Sequence, residues 1–155
     1  MNEEVKYISY EEAISVYAKM IDASDGGFDG VRDEGGIRAA LEFVQNDMYY
    51  PNFSDKLCSL VYKFCSGHYF NDGNKRIALT LGTYFLHKNS YFWQATIFMR
   101  QMESIVYHVA ASNIDKDLLL RIMTCFMNGE DYDEELKIDI ANAMSKGELG
   151  INGED

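Results

Sequence analysis

Apolar residues recur at spacings of three and four along most of the chain, a period that predicts helices rather than strands. From Ser9, with Glu12 three residues on as a capping-box partner, the stripe Ile14, Tyr17, Ala18 and Ile21 predicts a helix to about Asp22. It must stop at Ser24–Gly36, where five glycines permit a loop or short hairpin whose backbone can approach another chain closely. Ile37, Ala40, Leu41 and Val44 predict a second helix from about Gly36 to Asp47, before the break at Pro51. Leu57, Leu60, Val61, Phe64 and Cys65 mark a third from Ser54 up to Gly67, and after the polar NDGN at 71–74 the pattern resumes from Lys75 to Lys88. Within that fourth helix Gly82 lies on the apolar face, where it would let two helices cross closely. Ser90–Trp93 reads as an aromatic turn packed back on the core, followed by helices over Thr96–Ser112 and Asp115–Met127. Leu136, Ile140 and Met144 predict one more helix along the body, and the terminal GELGINGED is expected to fray.

Composition narrows the function classes. With 25 acidic and 14 basic residues the formal charge is −11. A field of that sign repels polyanions, which argues against nucleic acid or anionic lipid as the main partner. The segment 129–155 carries nine acidic residues against Lys137 and Lys146, so it holds −7 of this charge and the preceding 128 residues only −4. The chain therefore divides into a body, 1–128, and an acidic, partly helical extension, 129–155. Cys58, Cys65 and Cys125 are odd in number and lack CxxC spacing, which predicts buried thiols rather than a disulfide framework or zinc site. The acidic start MNEEVKYISYEE and the absence of any apolar run near 18 residues predict a soluble, cytoplasmic protein.

The densest chemistry lies in GHYFNDGNKRIAL, residues 67–79, at the junction of the third and fourth helices. A helix beginning near Asn74 presents unpaired N–H groups from the Gly73, Asn74 and Lys75 turn, an anion nest reinforced by the helix dipole. Lys75 and Arg76 add positive charge at that end, which is unfavourable to the dipole by a few tenths to ~1 kcal/mol unless an anion is bound. A polyphosphate would supply it. Asp72, a carboxylate beside a phosphate nest, makes sense with a divalent cation between the two. His68, read as ending the preceding helix, can take a proton from an incoming hydroxyl near neutral pH. Phe70 reads as a core anchor for the loop, and His87 and His108 as structural. Asp25, Asp29 and Asp33 lack the ordered ligand run and closing Glu of a calcium loop.

This segment resembles the signature of the Fic/Doc family, HxFx(D/E)GNxRxxR, with His68, Phe70, Asp72, Gly73, Asn74 and Arg76 on matching positions. Residues 5–128 look like the death-on-curing (Doc) branch of that family. The resemblance implies an all-α fold, a helical bundle with a glycine-containing flap at Ser24–Asp33 that positions the target's backbone. It also implies a reaction that moves part of a nucleotide onto a target hydroxyl.

Two departures bear on which part moves. Nucleotidylyl-transferring members usually carry Gly where this chain has Lys75 and a second Arg where it has Leu79. Losing that glycine changes how closely a diphosphate approaches the backbone, and losing the Arg removes a forked donor for the distal phosphates. The run Asn71–Arg76 looks instead like the NDxNKR of the Doc branch, which is associated with transfer of the γ-phosphate and with elongation factor Tu as target, although Gly73 stands where that branch can have alanine. The resemblance thus implies ATP and Mg²⁺ as cofactors, His68 as base, Asp72 as metal ligand, and Gly73, Asn74, Lys75 and Arg76 as phosphate holders. No Ser or Thr begins the family's self-inhibitory pattern (S/T)xxxE(G/N), so restraint is expected from a small antitoxin in trans. Adenylyl transfer on the same fold and a non-catalytic nucleotide- or partner-binding module are the alternatives.

Overall fold

The computed structural model describes residues 4–23 and 30–153, with side chains described up to residue 146. These residues form seven helices: α1 Tyr10–Ala23, α2 Glu34–Phe43, α3 Phe53–Ser66, α4 Asn74–Lys88, α5 Phe92–Ala110, α6 Lys116–Met127 and α7 Glu134–Gly153. Among the described residues the fold is all-α, and extended pairing is confined to one antiparallel bridge between Val31 and Phe70. No described helix is long and apolar enough to cross a membrane.

The centre of the fold is α4, which packs against α1, α3 and α5 and buries Ile77, Ala78, Leu81, Gly82, Phe85 and Leu86. Each large aliphatic or aromatic side chain so enclosed contributes about 1.5–3 kcal/mol through removal from water. Gly82 is the close crossing that its position predicts. A Cβ there would lie 2.6 Å from the Phe98 ring on α5 and 3.2 Å from Val61 on α3, so an added methyl would overpack both contacts at a cost of about 1–3 kcal/mol.

Local chemistry sets the helix ends. Ser9 and Glu12 form the predicted reciprocal cap, Glu12 N–H to Ser9 Oγ at 3.1 Å and Ser9 N–H to Glu12 Oε1 at 3.1 Å. α2 begins earlier than its stripe indicates because Asp33 Oδ1 accepts from Gly36 N–H at 2.8 Å. It also ends earlier, at Phe43, because Lys56 reaches out of α3 to hold the following turn. Its ammonium donates to Val44 O at 3.1 Å and Asp47 Oδ1 at 2.7 Å from a side chain only 2% exposed. The buried ammonium thus has both a buried carbonyl and an exposed carboxylate as partners, which offsets its desolvation.

The aromatic turn at Ser90–Trp93 packs back on the core through Tyr91 and not through its other aromatics. α5 starts at Phe92, and Phe92 and Trp93 are exposed. The space beneath is filled by Tyr91 and Phe53, ring centroids 4.5 Å apart, with Phe53 in turn 4.8 Å from Phe85. At the other end α7 packs on α6, burying Leu136, Ile140 and Ala143 and pairing Asp139 Oδ2 with Arg121 Nη1 at 2.7 Å. Its backbone stays helical to Gly153, through residues predicted to fray.

Candidate active site

The seven residues between α3 and α4 are held from three sides. Phe70 is fully buried, with Tyr17 of α1 stacked on it at 4.0 Å between centroids and the Tyr17 hydroxyl donating to Asp72 O at 2.9 Å. From α4, Asn74 closes the loop on itself: its Nδ2 donates to Phe70 O at 3.0 Å while its Oδ1 accepts from Phe70 N–H at 3.2 Å. The third side is the described end of the glycine-rich segment. Tyr69 O accepts from Arg32 N–H at 2.8 Å and Asp33 N–H at 3.0 Å, and Asn71 N–H donates to Gly30 O at 3.0 Å. Residues 30–33 therefore lie alongside the loop as a short pairing, while Ser24–Asp29, including Asp25 and Asp29, lie outside the described residues.

His68 does not end α3. The helix stops at Ser66 with Gly67 as its C-cap, and His68 follows with φ 53°, in the left-handed region. That conformation costs a non-glycine residue about 1–2 kcal/mol, and strain of this kind persists only where neighbouring contacts over-determine it. The imidazole is exposed.

Gly73 is the second left-handed residue, φ 78°, and caps α4 with no side-chain hydrogen bond. The conformation favours glycine, while a Cβ there would meet only the flexible ends of Met20, Cε at 3.1 Å, and Arg76, Nη2 at 3.3 Å. The first turn of α4 carries no acidic residue, in contrast to α1, α2, α3, α6 and α7. Its free N–H groups, the exposed Lys75 and the guanidinium of Arg76 gather positive potential at one helix end. Arg76 Nη2 lies 3.6 Å from Asp72 Oδ2, with both side chains about half exposed. A surface pair at that distance contributes at most about 1 kcal/mol, so phosphate oxygens can compete for the guanidinium.

Arg76 also borders a groove of about 420 Å³ between α1, α4 and α5, shared with Met20, Leu79, Thr80, Met99 and Arg100. A larger cavity, about 600 Å³, lies away from the loop between the amino-terminal segment, the start of α3 and the end of α4, and holds none of the motif residues. Among the described residues no three His, Cys, Asp or Glu side chains converge as a metal cluster. Asp72 would be a lone protein carboxylate, which suits Mg²⁺, an ion that commonly takes one or two carboxylates and completes its shell with phosphate oxygens and water.

The structure thus brings His68, Asp72, Gly73, Asn74, Lys75 and Arg76 to one loop-and-helix corner, and gives the Asn74 side chain a task within the loop. Both ends of its amide are committed to Phe70, which leaves its backbone N–H at the start of α4. Sequence reasoning missed Tyr17 as the wall of the loop, since its helical spacing marks it only as a core residue. The other two histidines lie elsewhere. His87 sits edge-on to Phe92 at 5.0 Å, and Asn113 Nδ2 donates to His108 Nδ1 at 3.0 Å. Cys58 and Cys65 are buried, and burial pushes their thiols up to about 12 and about 11, while Cys125 is half-buried.

Comparison with known proteins matches residues 7–86 to the model of the Fic/DOC family. Over 96 residues the chain is 33% identical to the Toxin Doc of Mycolicibacterium smegmatis, spanning 59% of this chain and 74% of that protein. Over 88 residues it is 35% identical to the Protein kinase doc of Escherichia phage P1, spanning 55% of this chain and 69% of that one.

Proposed function

The chain belongs to the Fic/DOC family, and from that membership we propose that it is a Doc-type toxin, a transferase that moves the γ-phosphate of ATP onto a hydroxyl side chain of a target protein. The observation that carries this reading is Lys75 in the first turn of α4, where its charge and that of Arg76 face an N-terminus without a side-chain cap. A relative named a protein kinase supports the same chemistry.

The residues fit a magnesium-bound triphosphate. Phosphate oxygens would take the N–H groups of Asn74, Lys75 and Arg76 and the two side-chain cations, and Asp72 would hold Mg²⁺, which when bound neutralises charge on those oxygens. His68 accepts the proton of the target hydroxyl as its oxygen bonds to the γ-phosphorus. The bond from that phosphorus to the β–γ bridging oxygen breaks, and ADP leaves with the electron pair. Positioning and charge stabilisation supply most of the acceleration.

With no self-inhibitory pattern in the chain, restraint falls to a small antitoxin in trans, as the toxin name of one relative suggests. Elongation factor Tu is the first target to try. The test is incubation with ATP, Mg²⁺ and that protein, followed by mass spectrometry. One phosphate added to Ser or Thr supports the reading, and an adenylyl adduct transfers the protein to the nucleotidylyl branch. Nucleotide binding with no adduct on any protein of the host extract returns the binding-module alternative.

A further inference from the structure

The strain at His68 needs a cause. Its neighbour Tyr69 has two kinds of contact that meet at this position. Its backbone oxygen takes both Arg32 N–H, at 2.8 Å, and Asp33 N–H, at 3.0 Å. Its ring lies over two glycines from different elements: a Cβ on Gly67 would come within 2.4 Å of Tyr69 Cε1, and a Cβ on Gly36 within 2.7 Å. The same ring meets Phe64 of α3 edge-on, centroids 5.2 Å apart and planes at 90°. Side chain and carbonyl of one residue are therefore fixed independently, the first against the ends of α2 and α3 and the second against residues 32–33.

We propose that Tyr69 is a positioning residue, whose ring, seated on Gly36 and Gly67, fixes the left-handed backbone at His68 and docks residues 30–33 beside it. The physical reason is connectivity. His68 joins Gly67, which lies beneath the ring, to Tyr69, whose ring and carbonyl are both held, so its φ and ψ are dictated from both sides. The two glycines are needed because any Cβ would occupy the seat of the ring. The acid Asp33 lies close to this ring as well, and burial followed by the Asp33 charge pushes the Tyr69 hydroxyl up, so the phenol stays protonated and the seat neutral. The motif leaves position 69 unspecified, and the ring requires both glycines.

The proposal rests on the phosphotransfer reading in its kinetic arm only, and the experiment separates the two. The full chain and its Tyr69→Phe and Tyr69→Ala variants are compared by trypsin cleavage after Arg32 relative to cleavage after Arg38 in α2, by the NMR resonances of the His68 imidazole, and by kcat and KM for phosphate transfer. The expected result is that Tyr69→Ala speeds cleavage after Arg32 about tenfold or more relative to Arg38 and shifts the His68 resonances, while Tyr69→Phe restores both. In the kinetic arm Tyr69→Ala lowers kcat about tenfold or more with KM for ATP little changed, as misplacement of a base predicts. Where alanine unfolds the chain, Tyr69→Leu takes its place, with the same expectation and the same rescue by phenylalanine. Unchanged cleavage after Arg32 together with unchanged His68 resonances would overturn the proposal, and so would failure of Tyr69→Phe to restore them, which would assign the effect to the hydroxyl. A wild-type chain that transfers no phosphate overturns the reaction assignment, while the cleavage and NMR arms still decide the role of Tyr69.

Discussion

The ring of Tyr17 lies nearly flat on that of Phe70, centroids 4.0 Å apart and planes 16° from parallel, and its hydroxyl reaches past that ring to Asp72 O at 2.9 Å. One residue of α1 thus fixes both the apolar anchor and the polar end of the loop between α3 and α4. Tyr17→Phe keeps the stack and loses the hydrogen bond, so stability should fall by about 0.5–1.5 kcal/mol. Tyr17→Ala removes the wall itself and should cost about 3–5 kcal/mol. Urea denaturation followed by circular dichroism measures both. Equal losses in the two variants would mean that the ring contact contributes nothing beyond the hydroxyl.

His68 separates catalysis from stability. His68→Ala should lower the transfer rate by about 10²–10⁴-fold, the effect of removing a general base, and leave the circular dichroism spectrum unchanged, because the side chain is exposed. His68→Gly should be equally inactive and more stable than His68→Ala by about 0.5–1 kcal/mol, since glycine accepts φ 53° without strain at some cost in unfolded-chain entropy. Retention of full transfer by either variant would remove His68 from the mechanism.

The helices and the chemistry-bearing loop were both legible in the sequence because each rests on local pattern: apolar period for the helices, residue type and spacing for the loop. What escaped is what depends on long-range contact. The φ of His68, the seat of Tyr69 over Gly36 and Gly67, and the approach of residues 30–33 all arise from pairing α2 and its preceding segment with a loop more than 30 residues on, which no local window contains. The second task of Asn74 escaped for a related reason. An asparagine at a helix start beside cations reads as a ligand, and only the placement of Phe70 shows that its amide is spent on the loop. Lys56 was invisible as well, a cation within an apolar stripe whose partners lie on the far side of Pro51.

Glu12 ties α1 to α4 and makes a pH prediction with a defined sign. Its Oε2 accepts from Lys88 Nζ at 2.8 Å and from the Tyr84 hydroxyl, and these bonds hold its carboxyl down at about 2, against an ordinary value of 4.5. The folded value lies below the unfolded one, so the stabilisation is full above about pH 4.5 and is lost as pH falls toward about 2. Allowing for solvent screening of a partly exposed carboxylate, about 1–2 kcal/mol is at stake. Glu12→Gln should therefore be less stable than the wild type at pH 7, with the difference closing between pH 4.5 and 2. Thermal melts across that range check it, and a gap that stays constant with pH would show that the ionised carboxylate is not what stabilises the contact.

On the proposed reading, Lys75 decides the identity of the transferred group. In a glycine-type motif the diphosphate lies close against the backbone and the nucleotide's own phosphate faces the target. On that reading a lysine side chain at this position, with leucine at 79 in place of a second forked donor, presents the γ-phosphate to His68. The wild-type chain should then add about 80 Da to its target, the mass of one phosphate. Lys75→Gly removes a cation from the first turn of α4 and opens the backbone to the diphosphate, so phosphate transfer should fall about tenfold or more, equivalent to ~1.4 kcal/mol in the barrier. Adding Leu79→Arg to that variant restores the forked donor, and any adenylyl adduct should emerge in the double variant before it does in the single one. Intact-mass spectrometry of the target separates the two products directly. A Lys75→Gly variant with an unaltered product and rate would move the choice of transferred group away from this residue, toward the groove that Arg76 shares with Arg100.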